Sequence, residues 1–289
     1  MAIAASHDSS ISSAELFLLL PPGAFVSAES LEEFVVHDTS LRQDLIVCLG
    51  EIAFKDLQEL ARHRAEQVSL TASRMHLAQS FSERLGTICP WLRLVAVSGS
   101  TAYGRTKMRD DIDFFVVTRS NRLWITLLLA LIAAKIRRMR NPASPVYCFN
   151  RIHEESHCAS AFRSLQEPLF AREALNLRVL EGHAYYRALV GSAPWMENLF
   201  PALYRQALSS STVGDTGRDD GGRRVWSIAN WIAFAALTPY LTLVGLWRNV
   251  RLQKAGEYDS LFRTVIRRGF FAYESTKYDL LRDTYRRAF

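Results

Sequence analysis

The spacing of apolar and polar residues predicts a central region in which strands and helices alternate. Short, β-rich apolar runs occur at residues 92–97, 111–117 and 146–152, and apolar residues recur at helical spacing over 57–85 and 123–136. A glycine-containing turn that opens a helix separates the first two strands. The order strand, helix, strand, helix, strand predicts an α/β (α+β) fold with a small mixed sheet and helical additions at both termini.

Changes in composition divide the chain further. Residues 14–60 contain short helical patterns, and residues 61–208 hold the predicted core with a helical extension. Residues 209–224 (SSSTVGDTGRDDGGRR) are predicted to be a linker, because small, polar and glycine residues dominate them. Residues 225–289 comprise an apolar helix and a basic, aromatic tail, whose pattern favours a helix packed on the domain over a nucleic-acid-binding surface. Nucleic acid stays open as a partner.

The apolar segment at residues 227–247 (SIANWIAFAALTPYLTLVGLW) carries no charge and is about long enough to cross a bilayer. Arginines flank both of its ends, so the charge asymmetry that orients a membrane helix is missing. Two structures fit this composition: a buried core helix kinked at Pro239, which we favour, and a membrane-inserted helix. The sequence therefore predicts a cytoplasmic protein, with membrane association through 227–247 as the alternative.

The overall composition restricts the class of protein without identifying a partner. Of 289 residues, 49% are hydrophobic and 22% are charged, an ordinary balance for a globular chain with a sizeable core. The net charge of +6 is compatible with a polyanionic partner but does not require one. The four cysteines show no repeated spacing, and no positively charged region precedes the first apolar run, which favours a reducing, cytoplasmic setting.

A zinc site is a weaker possibility in the same sequence. His153, His157 and Cys158 lie close together, with Cys148 nearby, and the two histidines have the spacing of one helix face. No CxxC pair accompanies them, so we favour polar surface histidines and buried thiols.

The residues that carry chemistry cluster in the string VAVSGSTAYGRTKMRDDIDFFVV, which begins at residue 95. Asp111 and Asp113 lie two residues apart on a predicted strand, so they point to the same face while Ile112 and Phe114 point into the core. Two neighbouring carboxylates repel each other unless a cation lies between them. Mg²⁺, which is hard and prefers oxygen ligands, is the expected cation.

A second element of this string suits phosphate groups. Gly99 allows a ligand to approach the backbone closely, and Ser100 offers a hydroxyl and an amide at a predicted helix start. Arg105 and Lys107, in the loop that follows, are further candidates for phosphate contact, although loop cations are more often solvated. A phosphate-binding turn beside metal-binding carboxylates points to phosphoryl transfer.

These motifs resemble a known family. The string Gly99-Ser100-x-Ala102-x-Gly104, followed by Asp111-Ile112-Asp113, is similar to the signature of the DNA polymerase beta nucleotidyltransferase superfamily. In the most similar branch, which is bacterial, a serine stands where this chain has Asp110. The resemblance to uncharacterised bacterial nucleotidyltransferase-domain proteins extends to Cys148-Phe149-Asn150 and to residues 168–173, and it implies a degenerate winged-helix-like segment at 14–60.

The resemblance implies an enzyme that moves a nucleoside monophosphate from an NTP to an acceptor. Asp111 and Asp113 would hold two Mg²⁺ ions, and Gly99 and Ser100 would bind the β- and γ-phosphates. The acceptor is open, because a small molecule, a protein or an RNA end would each fit.

Active members of the superfamily usually add a third carboxylate on a later strand. The strand at 146–152 carries none, so Glu154 and Glu155, just past its end, are the candidates. If neither reaches the metal ions, the alternative is a catalytically impaired nucleotide-binding or regulatory module.

Overall fold

The computed structural model describes residues 10–20, 23–48, 50–57, 64–209, 223–258 and 261–288. The helices are α1 (Ser13–Leu19), α2 (Ala28–His37), α3 (Leu41–Asp44), α4 (Arg64–Ile88), α5 (Gly99–Ala102), α6 (Leu123–Arg140), α7 (Glu155–Ser164), α8 (Pro168–Leu175), α9 (His183–Gly191), α10 (Trp195–Leu199), α11 (Pro201–Ser209), α12 (Arg223–Lys254) and α13 (Lys277–Ala288). The strands are β1 (Ile11–Ser12), β2 (Leu45–Cys48), β3 (Glu51–Phe54), β4 (Leu92–Ser98), β5 (Ile112–Thr118), β6 (Tyr147–Glu154), β7 (Arg178–Glu181), β8 (Phe262–Arg267) and β9 (Phe270–Ser275).

The N-terminal part is a small unit with its own core. Its antiparallel sheet has the order β1-β3-β2, and α1, α2 and α3 pack beside it. Ser12 and Ser27 each accept a hydrogen bond from the backbone three residues later, which caps α1 and α2. Leu31, Val35 and Ile52 are buried between the helices and the sheet. The winged-helix-like assignment of residues 14–60 stays a prediction.

The main sheet is mixed, with the order β7-β4-β5-β6-β9-β8. β5 and β6 are parallel, and every other neighbouring pair is antiparallel. β4, β5 and β6 correspond to the three strands predicted from the sequence, and the mixed α+β class is confirmed. The crossover that joins the parallel pair is α6, which follows the rule that parallel strands need a long connection over one face of the sheet.

Helices cover both faces of this sheet. On one face, α4, α6 and α12 bury a core that includes Phe81, Trp91, Phe114 and Trp124. On the other face, α7 to α11 and α13 bury a second core around Phe162. Successive residues of β5 alternate between these two cores, because neighbouring side chains of a strand point to opposite faces.

The prediction of a helical tail over residues 225–289 is wrong between α12 and α13. Residues 262–275 form the antiparallel hairpin of β8 and β9, in which Arg267 pairs with Phe270 and the two-residue loop contains Gly269. β9 then pairs with β6 and extends the main sheet. Aromatic residues interleaved with arginines fit a strand as well as a helix, and this ambiguity produced the error. The final part, α13, is helical as predicted.

By length and composition, α12 is apolar enough to cross a membrane. Within its most apolar stretch, 28% of the helix is buried in the protein. The favoured interpretation, a buried core helix, is therefore wrong for most of its surface. The linker predicted at 209–224 falls almost entirely on residues 210–222, which lie outside the described residues.

Two asparagines fasten α12 to the domain. The side-chain oxygen of Asn230 accepts hydrogen bonds from the backbone nitrogens of Trp124 (2.7 Å) and Ile125 (3.1 Å), at the start of α6. Near the other end of α12, Asn249 donates to Phe262 O and accepts from Phe262 N on β8. The first contact caps α6, whose own N-cap residue, Arg122, makes no side-chain capping bond.

Replacing Asn230 with alanine should destabilise the fold by about 2 kcal/mol, because two buried N–H groups of α6 would lose their acceptor. Chemical denaturation monitored by circular dichroism measures this loss. Asn230→Asp keeps an acceptor at the helix N-terminus, so it should lose less stability than the alanine variant. Equal losses in both variants would contradict a capping role.

Candidate functional site

The two aspartates predicted to share one face of a strand lie close together in the structure. Strand register places Asp113 opposite Ser98 on β4 and opposite Cys148 on β6. One ligand atom each from Asp111, Asp113 and Cys148 lies within 4.8 Å of the other two. Ile112 and Phe114 are fully buried, as their alternation with the aspartates requires.

Gly99 lies directly against the Asp113 carboxylate of this cluster. Its φ of +65° lies in the left-handed region, and a Cβ atom added there would be 2.5 Å from Asp113 Oδ2. Both facts require glycine, because another residue would be strained and would also displace the carboxylate. The predicted close approach at Gly99 is therefore made by the protein's own Asp113.

Ser100 and Asp110 close the loop beside the cluster. The Ser100 hydroxyl donates to Asp110 Oδ2 at 2.8 Å, and the Lys107 backbone nitrogen donates to the same oxygen at 2.9 Å. α5 is a single turn of four residues, so it supplies little of the helix dipole that the sequence suggested for a phosphate site. Asp110, the departure from the family pattern, thus shapes the loop as well as adding negative charge.

Uncompensated negative charge is the main electrostatic feature of the site. Burial, and then the charges of Asp111 and Asp110, raise the pKa of Asp113 well above its ordinary value. Burial and the same Asp113 and Asp111 charges raise the pKa of the Cys148 thiol. Arg248 of α12 is the cation that opposes both shifts. A divalent cation would relieve this repulsion, so the two carboxylates fit a Mg²⁺ site.

Asn150 holds Asp113 in place. Its side-chain nitrogen donates to Asp113 Oδ1, while its oxygen accepts a hydrogen bond from the Cys148 thiol at 2.7 Å. A protonated thiol is a poor ligand for Mg²⁺. The β6 positions beside the aspartates therefore carry an amide and a thiol, and the third carboxylate implied by the resemblance is missing from them.

Glu154 and Glu155, the candidates for that third carboxylate, lie at the wrong end of the sheet. Glu154 pairs with Thr118, five residues along β5 from Asp113, which corresponds to about 17 Å. Glu154 accepts a hydrogen bond from Asn121 N, and Glu155 pairs with Arg93 at 3.0 Å. Their closeness to β6 in sequence was misleading, because the site is at the opposite end of that strand.

Glu173 on α8 is the carboxylate that the sequence did not reveal. It lines the same cavity as Asp111 and Asp113, and its charge also contributes to raising the pKa of Asp113. Tyr103 Oη donates to Glu173 Oε1 at 2.7 Å. Residues 168–173 belong to the resemblance, but nothing in the sequence assigned Glu173 to the site, because this helix lies far along the chain from the aspartates.

Arg105 and Lys107 have different surroundings. Arg105 pairs with Glu15 of α1, donates to Ser10 O and lies 3.8 Å from Glu51. It is thus committed to the N-terminal unit, which corrects its expected role on phosphates. Both Arg105 and Lys107 line the cavity.

One cavity of about 700 Å³ contains these groups. Its polar lining includes Ser100, Asp111, Asp113 and Glu173. Its apolar lining includes Leu18 and Leu19 of α1, Leu203 of α11 and Leu281 of α13. The volume lies in the range typical of small-molecule and cofactor sites.

The zinc hypothesis gains no support. His153 Nδ1 and His157 Nδ1 are 3.1 Å apart, and both rings pack on Phe270. Burial lowers the pKa of each imidazole. Among the described residues, Asp111, Asp113 and Cys148 form the one group of three or more metal-ligating side chains.

Comparison of the chain with protein-family models, with curated proteins and with solved structures found no match in any of the three.

Asp113→Asn should stabilise the metal-free protein at neutral pH by on the order of 1 kcal/mol, because it removes a charge that its neighbours repel. Asn150 can still donate to the new side-chain oxygen. The raised pKa fixes the pH dependence: the gain is full above the folded-state pKa of Asp113 and vanishes below the ordinary value, where the carboxyl is neutral in both states. Urea denaturation across pH, without divalent cations, measures it. A loss of stability at neutral pH would contradict the repulsion.

Gly99→Ala should displace the Asp113 carboxylate and weaken divalent-cation binding at least about tenfold, in addition to a strain cost of about 1–3 kcal/mol. Gly256→Ala is the matched control, because Gly256 has φ +77° with nothing within 4 Å of an added Cβ. Denaturation and Mn²⁺ titration by electron paramagnetic resonance compare the two variants. Equal cation affinities would show that Gly99 is not required by the cluster.

Proposed function

We propose that this protein is a nucleotidyltransferase that transfers a nucleoside monophosphate from an NTP to an acceptor and releases pyrophosphate. The observation that carries the proposal is the cluster of Asp111 and Asp113, whose mutual repulsion outweighs the opposing charge of Arg248 and which faces a cavity beside the Gly99–Ser100 turn. Functional sites are where such destabilising charge is retained. The resemblance of these motifs to the DNA polymerase beta superfamily agrees with this chemistry.

In this proposal Asp111 and Asp113 hold Mg²⁺, with two ions as the resemblance implies. When bound, the metal neutralises charge on the triphosphate. Gly99 and Ser100 bind the β- and γ-phosphates. Lys107, which lines the same cavity, would also contact them.

Glu173 takes the role of general base. It would accept the proton of an acceptor hydroxyl as that oxygen bonds to the α-phosphorus, while the bond from the α-phosphorus to the β-phosphate bridging oxygen breaks. Pyrophosphate leaves with the electron pair of that bond. The position of Glu173 in the cavity, and the contribution of its charge to the raised pKa of Asp113, support this role.

The acceptor would enter the same cavity, whose apolar lining favours a molecule with an apolar body and a nucleophilic group. A small molecule fits a cavity of about 700 Å³ most simply. A protein side chain or an RNA end that reaches into the cavity is also compatible with it.

A second candidate is a nucleotide-binding or regulatory module with impaired catalysis. Asn150 favours it, because an amide contacts Asp113 on the strand where active members of the superfamily carry a carboxylate. Such a module would bind Mg²⁺ and NTP in the same place without turnover.

The proposal places the protein in the cytoplasm with membrane association through α12. The apolar, charge-free composition of residues 225–247 supports it.

Glu173→Gln should separate the two candidates. The amide keeps a hydrogen-bond acceptor for Tyr103 but cannot take a proton, so transfer should fall about 10²–10⁴-fold while NTP affinity changes little. Incorporation of label from α-³²P-NTPs, with protein alone and with cell extract as acceptor source, measures transfer. Calorimetry measures NTP binding.

Glu155→Gln is the control, because Glu155 lies at the other end of the sheet, and it should leave transfer unchanged. Asp113→Asn should abolish both Mg²⁺-dependent binding and transfer. Binding without transfer by the native protein would establish the second candidate, and transfer unaffected by Asp113→Asn would overturn both.

A further inference from the structure

One face of α12 is apolar, and none of the residues that the structure describes covers it. We call it the α12 apolar face; its large side chains are between 46% and 70% exposed and are Val225, Ile228, Trp231, Ile232, Tyr240, Leu243, Leu246, Trp247 and Val250. The opposite face buries Ala233, Leu237 and Leu241 in the core beneath the sheet. A continuous apolar surface of this size marks an interaction site.

The attachment of α12 determines how that face can be covered. Asn230 bonds to α6 and Asn249 bonds to β8, nineteen residues or about 28 Å apart along the helix. Gly245 packs between them, because a Cβ there would lie 2.3 Å from Thr264 Oγ1 on β8. A bilayer core is about 30 Å thick, so a spanning α12 would carry the polar edge of the sheet into lipid. The attached helix can offer lipid one side only.

The charges of α12 identify the chemistry of its partner. The helix contains no aspartate or glutamate, and its basic residues lie at the two ends: Arg223 and Arg224 at one, and Arg248, Arg251 and Lys254 at the other. Arg248 lies over the Phe262 ring and opposes the charge of Asp113, so Arg251 and Lys254 are the residues that would meet headgroups at that end. Two copies packed through this face, parallel or antiparallel, would bring basic ends together and repel each other. Anionic lipid headgroups would instead neutralise both ends.

The aromatic residues fit the same environment. Trp231, Tyr240 and Trp247 are all more than half exposed, and the guanidinium of Arg251 lies 4.8 Å from the Trp247 ring centroid. Tryptophan, tyrosine and arginine are enriched at the level of the lipid headgroups.

We propose that α12 docks flat on an anionic phospholipid bilayer, with the α12 apolar face in the outer acyl region and its basic ends among the headgroups. This specifies the mode and the lipid chemistry of the membrane association proposed above. It does not depend on what the nucleotide site does.

The test is flotation of the full chain with vesicles. Binding should be strong to vesicles of phosphatidylcholine with phosphatidylglycerol and at least about tenfold weaker to phosphatidylcholine alone, with high salt reducing the former. Replacing Trp231, Leu243 and Trp247 together with glutamine should lower binding about tenfold or more. A matched triple variant, with glutamine at Val26, Val68 and Leu280, removes exposed apolar side chains elsewhere and should bind like the native chain.

Two further measurements keep the proposal falsifiable. Alkaline carbonate should release the bound protein, whereas resistance to everything except detergent would show insertion and overturn flat docking. Light scattering should show no dimer that the α12 triple variant dissociates; such a dimer, or no binding to anionic vesicles, would also overturn it. NTP binding measured on both triple variants should be unchanged, so loss of vesicle binding and failure of the nucleotide site are distinguished.

Discussion

Two parallel neighbouring strands can be joined only by a chain that crosses one face of their sheet, and here that chain is α6 between β5 and β6. The positions of α12 and of the β8–β9 hairpin depend on this crossover. Its first turn lacks a cap of its own, and Asn230 of α12 supplies one. With α12 fixed there, the following hairpin of β8 and β9 extends the sheet beyond β6. The same parallel register sets Cys148 beside Asp113.

Two acidic residues, Glu51 and Asp113, have opposite electrostatic surroundings. Glu51 is almost fully buried, and Ser10, Arg64 and Arg105 satisfy it, so it joins the N-terminal unit to the core. Among the residues that the structure describes, the amide of Asn150 and the charge of Arg248 oppose several negative charges at Asp113. A satisfied acid contributes to structure, while an unsatisfied one stores free energy that a ligand can release.

Local patterns predicted what depends on neighbouring residues: the strands β4 to β6, the turn at Gly99 and the shared face of Asp111 and Asp113. They failed where distant segments decide. Glu154 looked close to the site because it ends the right strand, yet the site is at the other end. Glu173 lies within residues 168–173, whose resemblance gave it no role at the site, and the residues of the β8–β9 hairpin fit both a helical and a strand period. α12 was apolar as expected, but composition alone does not say which side of a helix is covered.

Arg105 lies in the loop between the glycine turn and the aspartates, yet its partners belong to the N-terminal unit. α1 of that unit also forms part of the cavity wall, through Leu18 and Leu19. Anything that bound the N-terminal unit and shifted α1 would therefore change the affinity of the cavity for its ligand. Thermodynamic reciprocity then requires the ligand to change the affinity of that effector by the same factor. The ion pair of Arg105 with Glu15 thus joins the N-terminal unit to the loop that carries the aspartates.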